Sequence, residues 1–99
     1  MKYSLKLYIT GRTLRSIRSI ENLQQIRDNL KGECDMVIID VLEQPELAEE
    51  AKILATPTLV RESPPPPRRV IGDLSDIAKV FTGLDIMPYQ KITTGEELA

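Results

Sequence analysis

The sequence predicts one α/β domain with the element order βαβαββα. Three observations predict it: apolar and polar residues alternate near the start, a helical apolar period follows, and Thr56-Pro57 leads into a short apolar strand. A chain of 99 residues is long enough for a single hydrophobic core. We therefore expect one domain over residues 1–99, with its core in residues 3–87 and a flexible polar tail in residues 88–99.

The first three elements are predicted to form a βαβ unit. The first strand has one apolar face, made of Tyr3, Leu5, Leu7 and Ile9. Thr13 is a plausible N-cap for a helix over residues 14–30 that ends before Gly32. Its apolar face is predicted to contain Ile17, Ile20, Leu23, Ile26 and Leu30. An apolar run from Met36 to Leu42, interrupted at Asp40, predicts a second strand covered on both faces and parallel to the first.

A second helix is predicted to begin at Pro45 and to reach Leu54. Proline fits the first turn of a helix, where its missing N–H has no intrahelical partner to lose. Leu47, Ala51 and Leu54 would form a narrow apolar stripe against the sheet. The opposite side carries the carboxylates Glu43, Glu46, Glu49 and Glu50, whose spacing indicates a solvated face rather than a metal site.

Two antiparallel strands and a last helix complete the predicted order. Pro57 directs the chain into an extended conformation, so the third strand is expected over Thr58–Val60. The four prolines at 64–67 cannot lie in a central strand or helix and predict a connection to a fourth strand, Arg68–Ile71. Asp73 is then expected to cap a helix that begins at Leu74.

The last predicted helix has two interpretations. Ile77, Val80, Phe81 and Leu84 follow helical spacing, and Gly83 is a suitable end for the helix. Val80, Thr82, Leu84 and Ile86 also alternate with their neighbours as in a strand. Both interpretations of residues 77–87 stay open from the sequence.

The composition excludes several classes of function. Histidine is absent, which removes the usual general base and the commonest metal ligand, and we expect no catalytic residues, cofactor or metal. The net charge of −2 does not favour nucleic acid, and the sequence contains no apolar run of membrane-spanning length. A single cysteine forms no internal disulfide, in agreement with a cytoplasmic location.

A redox enzyme is the first alternative, and the sequence does not support it. Thiol oxidoreductases of this element order carry a low-pKa cysteine at the start of the first helix, and residues 11–16 contain none. Cys34 is expected in a loop beside Glu33 and Asp35, which disfavour its thiolate.

Three arginines lie near the predicted N-terminus of the first helix, at Arg12, Arg15 and Arg18. They are either exposed side chains without a binding role or part of a surface for an acidic partner.

The element order and Thr-Pro step resemble the thioredoxin fold, and several blocks resemble the KaiB family more closely. The resemblance covers roughly residues 3–87. Its blocks are Lys6-Leu7-Tyr8 with Gly11, Ile39-Asp40-Val41, Pro45–Glu50, Lys52–Leu59, Pro65–Arg69, Ile71–Ser75 and Gly83–Asp85. Thr13-Leu14 departs from the family's Thr-Pro, and Val37 lies where clock members have a lysine.

The resemblance implies a non-catalytic clock regulator with two folds. The resting form would be a homo-oligomer, a dimer or tetramer, with a ground-state fold of order βαββααβ. The thioredoxin-like monomer would bind the ring of a KaiC-type ATPase through the second strand and the helix at 45–54, displace a SasA-like kinase and capture KaiA. The implied partner-binding residues are Lys52, Glu49, Arg18, Arg68 and Arg69, and the implied fold-switch residues are Pro57, Gly83 and Asp85. A divergent paralogue in stress response is the alternative.

Overall fold

A four-stranded sheet with the order β2-β1-β3-β4 organises the computed structural model, which describes residues 2–87. β1 is parallel to β2 and antiparallel to β3, and β4 is antiparallel to β3. The predicted order βαβαββα is confirmed, while the predicted tail at 88–99 lies outside the described residues. The elements are β1 Tyr3–Ile9, α1 Leu14–Leu30, β2 Cys34–Asp40, α2 Pro45–Glu50, β3 Thr58–Ser63, β4 Arg68–Ile71 and α3 Ile77–Leu84.

The side chains of β1 alternate between two apolar clusters, one on each face of the sheet. Leu5, Leu7 and Ile9 belong to the larger cluster, which α1 and α3 cover. Tyr8 packs with Ile39 and Val60 in the smaller cluster, beneath α2. No helix in residues 2–87 combines the length and apolar character needed to cross a membrane.

α1 begins and ends where the sequence predicts, but its buried face is different near the N-terminus. Thr13 is the N-cap, and its hydroxyl accepts a hydrogen bond from the Ser16 N–H. Ile17 and Ile20 were predicted in the core but are 42% and 38% exposed, whereas Ser16 and Ser19 are buried. Both serine hydroxyls have hydrogen-bond partners, with Ser16 Oγ accepting from the Thr10 N–H at 3.1 Å and Ser19 Oγ donating to Ser16 O at 2.6 Å. Small, satisfied side chains let the helix lie close to the sheet, and the isoleucines turn outward.

β2 is an edge strand, so the prediction that it is covered on both faces is wrong. Val37 is 50% exposed and Ile38 is 45% exposed, and Ile39 is the buried residue of the strand. An apolar run alone does not distinguish a central strand from an apolar edge. Cys34, predicted in a loop, is the first residue of β2.

α2 is shorter than predicted and ends at Glu50. The chain then takes a left-handed conformation at Lys52, with φ of 57°. This turn directs Ile53 onto the smaller cluster in the place expected for Leu54, which is 95% exposed. The predicted apolar stripe is therefore correct for Leu47 and Ala51 and wrong for Leu54.

Residues 77–84 form a helix, and Val80, Phe81 and Leu84 are buried as its helical spacing predicts. Its N-cap is Asp76, whose carboxylate accepts from the Lys79 N–H at 3.1 Å. The predicted cap Asp73 instead accepts from the Ser75 N–H at 3.1 Å, before the helix begins. The expected start at Leu74 is therefore three residues early, because both aspartates satisfy the same local capping pattern.

Gly83 lies inside α3 and does not end it, contrary to the prediction. The C-cap is Asp85, with φ of 53°. A Cβ on Gly83 would lie 2.6 Å from Cγ2 of Val70, so the absent side chain allows α3 to approach β4. Glycine at this position reflects close packing rather than a helix end.

Candidate partner-binding surface

α2 is weakly anchored along its own length. It has six residues, and none of them, all described by the structure, is fully buried. Pro45 lies in its first turn, while the N-cap Gln44 makes no side-chain capping hydrogen bond in this described segment. Leu47 packs against the smaller cluster, followed by Ala51 just after the helix. A short helix with few buried contacts depends strongly on how its ends are satisfied.

Arg69 of β4 reaches the C-terminal end of α2. Its Nη2 donates to Ala51 O at 2.8 Å, and its Nη1 donates to Lys52 O at 3.0 Å. The last turn of α2 contains no basic residue of its own. The guanidinium therefore supplies the positive charge that favours a helix C-terminus, from a strand that lies seventeen to eighteen residues later.

Glu49 and Lys52 lie at this same end. The Lys52 N–H donates to Glu49 O at 3.1 Å, and the Ile53 N–H donates to Ala48 O at 2.9 Å. Glu49, Lys52 and Leu54 are all exposed. We call residues 49–54 together with Arg69 the α2 terminus. It brings together three of the predicted partner-binding residues, Glu49, Lys52 and Arg69.

The other two predicted partner-binding residues lie elsewhere. β4 pairs Arg68 with Arg61 and Arg69 with Val60, so alternation places Arg68 and Arg69 on opposite faces of the sheet. Arg18 is exposed on α1, on the face opposite α2. It acts with Arg15 as a minor cause of the lowered pKa of Asp73, which arises chiefly from the hydrogen bonds to Ser75.

A charged pair lies on the α2 side of the sheet. Lys6 Nζ is 3.0 Å from Glu62 Oε1, and the hydrogen bond to Glu62 raises the pKa of Lys6. Burial raises the pKa of the neighbouring Tyr8 hydroxyl. Arg69 and Glu50 also act electrostatically on Tyr8, so charges of both signs lie near this hydroxyl.

Arg61 is a buried charge that the sequence did not single out. It is 3% exposed and donates from Nη1 to Pro64 O and from Nη2 to Pro66 O. Its Nε has no hydrogen-bond partner among the described residues. Proline carbonyls have no strand partner in this connection, and the guanidinium satisfies two of them. The sequence feature that could have indicated this buried arginine is its position in a strand next to four prolines.

The predicted fold-switch residues lie on two sides of β4. Pro57 is buried, follows a cis peptide bond from Thr56, and accepts a hydrogen bond from the Gly72 N–H at 2.9 Å. Gly83 lies against Val70 of β4, and Asp85 caps the helix that contains Gly83. β4 therefore contacts the segments that contain all three.

The described residues show no arrangement for thiol or metal chemistry. Burial raises the pKa of the Cys34 thiol, Asp35 adds to this effect, and Arg27 opposes it. A raised pKa lowers the thiolate fraction, the reverse of what a redox cysteine needs. Within residues 2–87, no three Cys, Asp or Glu side chains converge as metal ligands do.

The chain is similar in sequence to circadian clock proteins. The profile of the KaiB domain matches residues 6–86. The circadian clock oscillator protein KaiB of Prochlorococcus marinus (strain MIT 9312) is 53% identical over 95 residues, which cover 95% of this chain and 90% of that protein. The circadian clock protein KaiB3 of Synechocystis sp. (strain ATCC 27184 / PCC 6803 / Kazusa) is 52% identical over 85 residues, which cover 85% of this chain and 83% of that protein.

Solved structures with the same fold are more distant in sequence. Mitochondrial thioredoxin 3 from Saccharomyces cerevisiae has a TM-score of 0.71 at 18% identity, and the match covers 85% of this chain and 77% of the thioredoxin chain. The N-terminal domain of Synechococcus elongatus SasA has a TM-score of 0.68 at 20% identity, and the match covers 83% of this chain and 79% of the SasA domain. These likenesses confirm the predicted thioredoxin-like fold.

Proposed function

The chain belongs to the KaiB family, and from this premise we propose that it is a cytoplasmic circadian-clock regulator that binds the ring of a KaiC-type ATPase. It acts by binding and not by catalysis. The observation that carries the proposal is the α2 terminus, where exposed Glu49, Lys52 and Leu54 lie at the end of a short helix that Arg69 of β4 holds. Charged residues around an exposed apolar side chain form a common pattern at protein interfaces.

A second part of the proposal is fold switching. The thioredoxin-like state is the binding form, and a resting homo-oligomer, a dimer or tetramer, has the order βαββααβ. The double periodicity of residues 77–87 supports this, since the same apolar residues satisfy a helix and a strand. Two folds of one sequence need to differ by only a few kcal/mol for a partner to select one of them. Pro57, Gly83 and Asp85 are the proposed switch positions.

In the thioredoxin-like state the chain would also compete with a SasA-like kinase and recruit KaiA. The fold shared with the SasA N-terminal domain supports competition with a SasA-like kinase for one site on the ring. KaiA is the proposed partner for the complex once formed. Arg18 and Arg68 lie away from the α2 terminus, and we assign them to contacts with such additional partners. The proposed domain is residues 1–99, with its core in residues 3–87.

A divergent paralogue that serves another KaiC-like ATPase in stress response is the second candidate. Val37 favours it, because this exposed residue of β2 lies where the resemblance places a lysine in clock members. The same thioredoxin-like state would then bind a ring that lacks a matching acidic contact.

The test is size-exclusion chromatography with light scattering, with the chain alone and with a KaiC-type ATPase plus ATP. We expect slow conversion of a free oligomer into a stoichiometric complex. Lys52→Ala should weaken the complex about tenfold through loss of an interface charge, roughly 1.4 kcal/mol. Lys79→Ala, which removes an exposed lysine from α3, is the matched control and should not change it. The absence of any ATP-dependent complex with the unaltered chain contradicts the proposal.

A further inference from the structure

We infer that Arg69 is a positioning residue that holds the α2 terminus in the shape a partner recognises, and that it does not itself contact the partner. The inference rests on the proposed function and deepens it, because it separates the residue that binds from the residue that presents it. Both terminal nitrogens of Arg69 are already directed at the backbone of α2, at 2.8 Å from Ala51 O and 3.0 Å from Lys52 O.

The end of α2 needs an external donor. The Ala51 N–H bonds to Leu47 O, the Lys52 N–H to Glu49 O and the Ile53 N–H to Ala48 O, so these three helix carbonyls have backbone partners. The carbonyls of Ala51 and Lys52 lie just past Glu50, the last residue of the helix. Arg69 satisfies both of them from β4.

The conformation of Lys52 makes this contact consequential. Its φ of 57° lies in the left-handed region, which costs a non-glycine residue free energy and persists only where neighbours hold it. The turn at Lys52 also decides that Ile53 packs inward and Leu54 points outward. Loss of the Arg69 contact would therefore release Lys52 and Leu54 together.

The shape of the guanidinium suits this task better than a lysine ammonium. A planar fork donates in parallel to two consecutive carbonyl oxygens, whereas an ammonium is a point charge on a flexible stem. Arg69→Lys would keep the charge near the helix C-terminus and lose the two-point geometry. Its effect should lie between that of the unaltered chain and that of Arg69→Gln.

The first experiment uses the free full-length chain and needs no partner. Hydrogen exchange is measured at the amides of Ala51, Lys52 and Ile53. We expect Arg69→Gln to speed their exchange about fivefold or more, Arg69→Lys to do so by less, and Arg68→Gln, the control on the opposite face of β4, to leave it unchanged. Unchanged exchange in Arg69→Gln overturns the inference, whatever happens in the binding assay.

The second experiment is a double-mutant cycle on binding to the KaiC-type ATPase with ATP. Arg69→Gln should weaken binding about fivefold in the unaltered chain, with partial rescue by Arg69→Lys, and should have a smaller further effect in the Lys52→Ala background, where only the presentation of Leu54 remains to be lost. Equal, additive losses in both backgrounds would mean that Arg69 contacts the partner directly and would overturn the inference. If the unaltered chain forms no complex, the proposed function fails. The hydrogen-exchange result alone then tests whether Arg69 holds the α2 terminus.

Discussion

Arg61 and Arg68 are cross-strand partners of the same residue type with opposite environments. Arg61 is buried and bonded to two proline carbonyls, whereas Arg68 is exposed. We expect Arg61→Ala to lower the free energy of unfolding by about 2–3 kcal/mol, because it removes two charged hydrogen bonds and a packed side chain. Arg68→Ala, the matched control, should change it by less than about 0.5 kcal/mol. Urea denaturation measures both, and equal losses would refute the distinction.

Cys34 gives a pH-dependent prediction. Burial raises the pKa of its thiol, so the thiolate forms at higher pH in the folded chain than in the unfolded one. We expect iodoacetamide to modify the folded chain several-fold more slowly at pH near 8 than the same chain in concentrated urea, and the folded rate to rise with pH. Mass spectrometry follows the reaction. Faster modification of the folded chain would contradict this and would reopen the redox alternative.

The two aspartates before α3 test which residue caps the helix. Asp76 accepts a hydrogen bond from the Lys79 N–H, so Asp76→Ala should lower the free energy of unfolding by about 1 kcal/mol. Asp73→Ala is the control and should cost less, because Asp73 bonds within the preceding turn. Chemical denaturation monitored by far-UV circular dichroism compares the two variants. A larger loss in Asp73→Ala would restore the cap that the sequence predicted.

Elements with a strong period could be predicted from sequence to the residue. β1 and α1 have their predicted ranges because each has several turns or alternations of consistent pattern and, for α1, a hydroxyl cap at Thr13. The end of α2 could not be predicted in this way, because it depends on the left-handed turn at Lys52 and on Arg69, which is distant in sequence. The buried serines of α1 show the same limit, since a period of apolar residues does not reveal which polar residues find partners.

The candidate site could be predicted only in part, and mostly through the family resemblance. Glu49, Lys52 and Arg69 were named in advance and lie together at the α2 terminus. Arg18 and Arg68 were named with them but lie elsewhere, because Arg18 is on α1 and alternation along β4 places Arg68 on the face opposite Arg69. Arg61 was missed because burial of an arginine is rare and depends on carbonyls that only the folded proline connection presents.

At the scale of the whole molecule, the β2 edge of the sheet exposes two neighbouring apolar side chains. Ile38 and Val37 lie on β2, in the half of the chain that the proposed switch leaves unchanged. We expect Ile38→Lys to weaken self-association, measured by sedimentation velocity over a range of concentrations, because a charge on an edge strand disfavours pairing with another chain. The free energy of unfolding should change by less than about 0.5 kcal/mol. Gln25→Lys on α1 controls for added charge, and equal self-association in both variants would contradict the prediction.

The strand order also divides the sheet between the two halves of the chain. Within residues 2–87, β1 pairs with β2 in the first half, β3 pairs with β4 in the second, and the β1–β3 ladder is the row of sheet hydrogen bonds that joins the halves. β1, α1 and β2 together form a βαβ unit within residues 3–40. If the second half rearranges as we propose, the β1–β3 ladder is the row of sheet hydrogen bonds that must break and re-form, while the pairing of β1 with β2 can persist.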